Sequence, residues 1–169
     1  PPPRSPKRRK IFLPSFCRFA GARPAPGPPA RRFYRDGDGS SMQQRDFLAQ
    51  LDRLGIHTQE ALDRFMGNEA LFLSFIRQLP EKLDFSGIRR GLDEEDEDTF
   101  YMNVHNLKGM AGNLSIGPIY DCAQAILVEF RASKFQNKKK LTELTREAET
   151  ASEAIAELVR QYLAEEGTV

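Results

Sequence analysis

The chain has 169 residues and a formal net charge of +1, which is the average of two unlike parts. Residues 1–40 hold ten basic and two acidic residues, whereas residues 41–169 have a net charge of −7. No run of 18 apolar residues occurs, which argues against a membrane-spanning helix. The two cysteines and two histidines provide no disulfide framework and few zinc ligands, and both common Gly-rich phosphate-loop patterns are missing. We therefore expect a cytoplasmic protein without a membrane segment, nucleotide site or metal of its own.

The first 41 residues are rich in proline and arginine, and nine of the eleven prolines fall within the first 29. Proline cannot donate a backbone hydrogen bond, so we expect residues 1–41 to be a disordered tail. The basic cluster Lys7–Lys10 could bind nucleic acid or act as an import signal, and the prolines could bind a Pro-recognition domain. A signal peptide is disfavoured because Pro14 and Arg18 interrupt the apolar stretch. We favour a non-native extension, with the native protein beginning at Met42.

Residues 42–169 are predicted to form one helical domain, because apolar residues recur at spacings of three and four. Helical patterns occupy residues 43–55, 57–67, 68–80 and, more weakly, 81–92. Thr58 and Asn68 are predicted N-caps, and Gly67 is a predicted helix stop. Gly91 is predicted to end the fourth helix. The inward positions of the first three helices are predicted to be Phe47, Leu48, Leu51, Leu54, Leu62, Phe65, Met66, Leu71, Phe72, Phe75 and Ile76.

Six consecutive acids, Asp93–Asp98, precede the next helix. They could form a metal or partner site, but we favour a helix start, where carboxylates complement the N-terminal dipole. Further on, Gly117 and Pro118 break the chain, and Pro118 suits the first position of a new helix. That helix is predicted to bury Ile119, Ala123, Ile126, Leu127 and Phe130, with Cys122 packed among them.

The last element has the most regular pattern. Its apolar residues form one seam along about seven helical turns. A free coiled coil could bury such a seam, but we favour packing within the chain, because other helices are available. We therefore predict an all-α, monomeric bundle with a long C-terminal helix. The seam consists of Leu141, Leu144, Ala148, Ala151, Ile155, Leu158 and Tyr162.

The helix that holds His105 has its apolar residues on one side. With about 100° per residue, Phe100, Leu107 and Leu114 lie roughly 180–220° from His105. Met110 falls at about 140° in the same projection. His105 is therefore predicted to be exposed in the middle of a helix.

Three residues share the predicted face of His105: Lys108, Gly109 and Gly112. Glycine destabilises a helix interior by about 1 kcal/mol relative to alanine. These two glycines remove side chains beside the imidazole, which would let another molecule approach, and Lys108 suits an anion held there. Imidazole is a nucleophile at neutral pH, so this arrangement suits reversible acceptance of a phosphoryl group. The alternative is a surface histidine without a function.

The segment HNLKGMAGNLS resembles the histidine-containing phosphotransfer (HPt) domain, whose pattern is His-x-Leu-Lys-Gly followed by small residues. The likeness extends less sharply over residues 55–165, and EALDRFMGNEALFLSFIRQLP resembles the leading helices of stand-alone bacterial members. The resemblance implies a four-helix up-and-down bundle with accessory N-terminal helices. It also implies that His105 is the phosphoacceptor, that Lys108 steadies the phosphoryl oxygens, and that partners dock around them. The implied docking residues are Gly109, Gly112, Tyr101, Met102, Asn106 and Ser115.

Three positions differ from the pattern of the family. Ser115 stands where many members have glycine, which is expected to narrow partner access, and Asn103 falls within the apolar arc. Many members place Glu or Gln 22 residues after the histidine to orient the ring, and here that position is Leu127. Gln124 or Glu129 could take this role instead.

The function implied by the resemblance is that of a phosphorelay intermediate. Such a protein accepts phosphate from a receiver-domain aspartate or a kinase and passes it to another receiver. It is a phosphocarrier and not a self-contained enzyme, since Mg²⁺ and the remaining catalytic groups are expected on the partner, a receiver or hybrid histidine kinase. The alternative is a helical adaptor that docks signalling partners without carrying phosphate. A nucleic-acid binder acting through the tail is disfavoured, because a duplex would repel the acidic domain.

Overall fold

The computed structural model describes residues 42–166, with side chains from residue 44 onward. The predicted tail, the basic cluster Lys7–Lys10 and the proposed ligand prolines lie outside these residues. Between residues 42 and 166 the chain is mostly helical and contains no β-strand, as predicted. No helix in this segment combines the length and apolar character needed to cross a bilayer.

The helices follow one another with short connections. A short 3-10 turn over Lys134–Asn137 separates the last two α-helices. In chain order the α-helices are α1 (Met42–Arg53), α2 (Thr58–Arg64), α3 (Glu69–Arg77), α4 (Leu79–Lys82), α5 (Ser86–Glu94), α6 (Glu97–Asn113), α7 (Gly117–Ser133) and α8 (Lys138–Glu166).

The long C-terminal helix α8 buries its apolar seam within the chain, as predicted. It packs against α7 and also contacts α1, α3, α4 and α5. Ala151 and Leu158 are partly buried at the edge of the core. Burying a Leu or Ile side chain contributes about 1.5–3 kcal/mol, so this seam is a large part of what holds the helices together. The fully buried seam residues are Leu141, Leu144, Ala148, Ile155 and Tyr162.

The α1–α2 loop is fastened to the turn between α6 and α7. Ile56 and Ile116 form an isolated antiparallel bridge, and both side chains are buried. The amide of His57 donates to the carbonyl of Ser115 at 2.9 Å, and the amide of Gly117 donates to the carbonyl of Gly55 at 3.0 Å. These bonds place the N-terminal helices beside the C-terminal end of α6.

The starts of two helices test the predicted N-caps. Asn68 caps α3, because its side chain accepts from the amide of Leu71 at 3.0 Å, as predicted. Thr58 is not a cap but the first residue of α2, and both its amide and its hydroxyl donate to the carboxylate of Asp52. That prediction was wrong because a carboxylate from the preceding helix takes over the capping role.

The second half of the acidic run begins α6, as favoured, whereas Asp93 and Glu94 are the last residues of α5. Asp96 is the N-cap and accepts from the amide of Thr99 at 3.1 Å and from its hydroxyl at 2.6 Å. These hydrogen bonds lower the pKa of Asp96. Glu97 and Asp98 occupy the first turn, where their charges complement the helix dipole.

Two glycines of α5 allow it to pack closely on α6. A Cβ at Gly91 would lie 2.6 Å from the backbone nitrogen of Phe100, so Gly91 is a close-packing position inside α5 and not the predicted helix end. A Cβ at Gly87 would collide with the side chain of Asn103. Asn103, which the sequence placed in the apolar arc, fits into this space and donates to the carbonyl of Thr99 at 2.7 Å.

Candidate functional site

His105 lies exposed in the middle of α6, as predicted. The opposite side of this helix is buried, and Met110 is partly buried at its margin. The imidazole therefore projects from a helix whose position is fixed by the core beneath it. The buried residues of α6 are Phe100, Val104, Leu107 and Ala111.

The two sides of His105 face different surroundings. On a helical wheel Tyr101 and Lys108 lie about 40° and 60° to one side, and Gly109 and Asn113 lie about 40° and 80° to the other. The first side contacts α7, and the second borders a groove formed with α2 and α3. His105 thus lies on the ridge between a packed flank and an open one.

The packed flank holds two aromatic contacts. The ring of Tyr101 stacks on the imidazole, with 5.9 Å between ring centroids and 25° between ring planes. Arg131 of α7 donates from Nη2 to the hydroxyl of Tyr101 at 3.2 Å. The Nζ of Lys108 lies 5.5 Å from the centroid of the Tyr120 ring. Lys108 forms no ion pair with a carboxylate within residues 44–166, so its charge is available to an incoming anion.

The open flank is a groove of about 720 Å³. Gly109 is one of its lining residues, and a Cβ there would meet nothing within 4 Å, which agrees with the predicted cleared surface. Phe75 of α3 lines the groove while 45% exposed. The groove therefore combines apolar surface with the polar edge of α6. Its lining residues are Arg64, Phe65, Phe75, His105, Asn106, Gly109, Met110, Asn113 and Leu114.

The predicted docking residues do not all face the surface. Met102 is 53% exposed and Asn106 is exposed in the groove. Gly112 differs from Gly109, because a Cβ there would lie 3.3 Å from Cε2 of Tyr120, whose ring already fills part of this space.

Ser115 does not present its side chain for docking. The residue is only 6% exposed and has a φ of 52° in the turn after α6. Glycine adopts this left-handed conformation at little cost, which gives a physical reason for the glycine that many members of the resembled family have at this position. Ser115 therefore lies in the turn after α6 with its side chain directed away from the surface.

Neither proposed ring-orienting residue bonds to His105. Tyr101 near the start of α6 meets Arg131 near the end of α7, and Gly112 meets Tyr120 at the opposite ends, so the helices are antiparallel. This register places Leu127 level with His105, and Leu127 is 1% exposed in the core.

Gln124 and Glu129 flank Leu127 along α7. Glu129 instead accepts from Ser133 and from Asn137, both at 2.9 Å, near the end of α7. In the described side chains no hydrogen bond connects Gln124 to the imidazole.

The opposite wall of the groove was missed by the sequence analysis. Phe65 and Phe75 were assigned to inward stripes, but Phe75 is half-exposed and its ring packs 5.5 Å from that of Phe65. The apolar arc on α3 is wider than one buried face can accommodate, and this width could have indicated that some of its residues are exposed.

Arg64 was not singled out either. Its Nη2 lies 2.6 Å from a carboxylate oxygen of Glu60, one turn earlier on α2. The hydrogen bond from Arg64 is the main reason why the pKa of Glu60 is lowered.

No family model, curated protein or solved structure matches this chain. Within residues 42–166 no group of three or more potential ligand side chains is placed to hold a metal ion. A function for His105 must therefore be inferred from its own surroundings. These surroundings comprise an exposed imidazole, an adjacent cation with no carboxylate partner in the described part of the chain, and an open groove.

Proposed function

We propose that this protein is a phosphorelay intermediate of the HPt type. His105 accepts a phosphoryl group from the aspartyl phosphate of a receiver domain, or from a kinase, and passes it to another receiver. The observation that carries this proposal is the placement of an exposed imidazole between Lys108 and the open surface at Gly109. A structural histidine would need neither an adjacent cation that lacks a carboxylate partner among the described residues nor the cleared helix face.

The proposed transfer requires one nucleophilic nitrogen. A lone pair on Nε2, the outer ring nitrogen of His105, forms a bond to phosphorus while the bond between phosphorus and the aspartate oxygen breaks. The carboxylate of the partner leaves with that electron pair, and the proton on Nδ1 of His105 stays on the ring. Passing the group to another receiver reverses these steps, with a new carboxylate as the nucleophile.

Lys108 is proposed to stabilise the phosphoryl oxygens. A phosphoryl group carries close to two negative charges, and an ammonium group three residues away on the same helix face lies within reach of it. The contact between Lys108 and the Tyr120 ring is of a kind worth about 0.5–1 kcal/mol at exposed sites, so an anion can compete for the ammonium group. Mg²⁺ bound by the receiver would supply the remaining charge neutralisation at the aspartate.

The helix packing supports the proposed four-helix bundle. α5 contacts α6, α6 contacts α7, α7 contacts α8, and α8 contacts α5, which closes a ring of four helices. The antiparallel register of α6 and α7 agrees with an up-and-down order. α1–α4 would then be the accessory N-terminal helices, and α2 and α3 contribute the second wall of the groove.

The groove and the exposed apolar side chains around it are the proposed docking surface for a receiver. Phe75 and Met102 are about half-exposed, and on a helical wheel Met102 lies about 60° from His105 on the side of Gly109 and the groove. Aromatic and methionine side chains are enriched at protein interfaces, and Gly109 would let the partner backbone come close to the helix. One monomer carries all of these residues.

Incubation with a phosphorylated receiver domain tests the proposal. We expect an acid-labile phosphate on this protein, absent from His105→Gln. His57→Gln is the matched control, because His57 is the other histidine of the chain and is also exposed. Labelling that persists in His105→Gln would contradict the site, and labelling that disappears in His57→Gln as well would leave His105 without a specific role.

A second function is favoured by Leu127. Its buried position level with His105 removes the hydrogen-bonding residue that orients the ring in the family, which would suit an adaptor that binds receivers without phosphotransfer. If the protein is an adaptor, a receiver should bind the parent and His105→Gln with equal affinity. A phosphorylated receiver should then label neither the parent nor the variant.

A further inference from the structure

The imidazole of His105 stacks against the aromatic ring of Tyr101, which lies one helical turn earlier on α6. We propose that Tyr101, held in place by Arg131, is the positioning residue for His105. This proposal rests on the proposed phosphotransfer function, whereas the stacking itself can be measured without it. In this chain a stacked ring would do what a hydrogen bond from the neighbouring helix does in the resembled family.

The stack is built into the geometry of α6. Tyr101 and His105 are separated by four residues, so their side chains lie one above the other on the same face. With 5.9 Å between centroids and 25° between planes, the two rings form an offset stack. The side chain of Tyr101 is half-buried, which restricts the positions that its own ring can take. The Tyr101 ring therefore favours the orientation of the imidazole that packs against it.

Arg131 fixes the far edge of the Tyr101 ring. Its Nη2 donates to the tyrosine hydroxyl at 3.2 Å, and its guanidinium carbon lies 5.8 Å from the ring centroid. These contacts are one hydrogen bond and one cation–π interaction from a different helix. Arg131 makes no ion pair with a carboxylate in the described part of the chain, so no acidic group competes for its guanidinium.

The stack suits a nucleophile because of where the reactive electrons lie. The lone pair of an imidazole nitrogen lies in the plane of the ring, whereas stacking occupies only one face. Tyr101 can therefore restrict the rotamer of His105 without blocking either nitrogen. The α7 residue level with His105 in the antiparallel register is the buried Leu127, whose side chain has no hydrogen-bonding group.

Proton NMR of the full chain tests the stack directly. An aromatic ring shifts the signals of protons above its face upfield, and the two histidines of this chain give two sets of ring signals, so His57 is an internal reference. We expect Tyr101→Leu to move the His105 ring signals downfield toward those of a free histidine. Tyr101→Phe should retain most of the shift, and Arg131→Ala should give an intermediate position.

Arg146→Ala removes an exposed arginine from α8 and is the control for the loss of a cation. We expect it to leave the His105 signals unchanged. Unchanged His105 signals in Tyr101→Leu, with the helical circular dichroism of the parent, would overturn the proposed stack.

The positioning role is tested with phosphoramidate, a small donor that needs no docking surface. Nε2 of His105 forms the bond to phosphorus, and the P–N bond breaks with the release of ammonia. We expect the labelling rate of Tyr101→Leu to fall about three- to tenfold, as the loss of a stacked pair implies, and Tyr101→Phe to restore it. Equal rates for Tyr101→Leu and the parent would overturn the role of Tyr101.

The failure of the proposed function has a different signature. If neither phosphoramidate nor a receiver labels the parent protein, His105 is not a phosphoacceptor and the positioning role falls with it. The ring-current shifts would still decide whether Tyr101 and Arg131 hold the imidazole. A normal labelling rate in Tyr101→Leu removes only the positioning role and leaves phosphotransfer intact.

Discussion

The Nζ of Lys108 lies 5.5 Å from the centroid of the Tyr120 ring, on the flank of His105 that packs against α7. Lys108 lies about one helical turn after His105, and this contact does not neutralise its charge, because an aromatic face attracts the ammonium group but carries no net charge. The same tyrosine covers Gly112. Tyr120 of α7 therefore contacts α6 at two places. One is Lys108, whose charge is proposed to stabilise the phosphoryl group, and the other is the helix surface at Gly112.

Lys108→Ala should slow phosphotransfer much more than it destabilises the fold. A hydrogen bond to a charged group is worth about 1.5–3 kcal/mol, which corresponds to a rate reduction of roughly ten- to a hundredfold. The loss of stability should stay below about 1 kcal/mol, because only an exposed cation–π contact is removed. Single-turnover transfer from a phosphorylated receiver and urea unfolding measure the two effects. Equal transfer rates in variant and parent would contradict the role of Lys108.

Gly109→Ala should make the protein more stable and less active. A Cβ at this position meets nothing within 4 Å, and alanine is favoured over glycine in a helix by about 1 kcal/mol. A methyl group on the proposed docking face should nevertheless weaken the interaction with a receiver. Thermal unfolding measures the expected gain in stability. The dependence of the transfer rate on receiver concentration measures the expected loss of activity. If Gly109→Ala raises stability and leaves transfer unchanged, the partner does not approach this part of α6.

Gly91→Ala should destabilise the fold strongly. Its Cβ would lie 2.6 Å from the backbone nitrogen of Phe100, so α5 and α6 would have to separate. Overpacking of this kind typically costs 1–3 kcal/mol, and about 3 kcal/mol is expected where the obstacle is backbone. Urea unfolding gives the difference from the parent. Arg90→Ala, an exposed neighbour on the same helix, should change the stability by less than about 0.5 kcal/mol.

The cap of α6 should make stability depend on acid pH. The hydrogen bonds from Thr99 lower the pKa of Asp96 below its ordinary value of 3.8. Because the pKa is lower in the folded state, the stabilisation is fully present above pH 3.8 and is lost as the pH falls through the folded-state pKa. The difference in unfolding free energy between the parent and Asp96→Ala should therefore shrink in acid. A difference that stays constant from neutral pH to pH 2 would contradict this ionic contribution to the cap.

Periodicity predicted those parts of the structure that depend on one helix at a time. The seam of α8 and the exposed side of α6 follow from positions on a helical wheel, so Leu141 and His105 lie where expected. The exposed Phe75 was assigned to the core, because the apolar stripe of α3 does not show which of its residues lack a neighbour. Whether Phe75 is covered by a neighbour depends on how separate helices pack against one another.

Pairing between helices explains the remaining differences. The sequence pattern predicted a helix end at Gly91. The structure shows instead that the backbone of Phe100 in the next helix leaves no room for a side chain there. Glu129 was a candidate for orienting His105, yet the end of α7 brings Ser133 and Asn137 to its carboxylate instead. A helical wheel does not contain the register between two helices, on which each of these contacts depends.

The most direct test of the central claim is a two-step transfer assay with site mapping. The protein is mixed with one phosphorylated receiver and then chased with a second, unphosphorylated receiver. We predict that the phosphate first appears on His105, is absent from His105→Gln but present on His57→Gln, and then moves to the second receiver. A parent protein that binds the first receiver but never carries the phosphate on His105 would contradict the account.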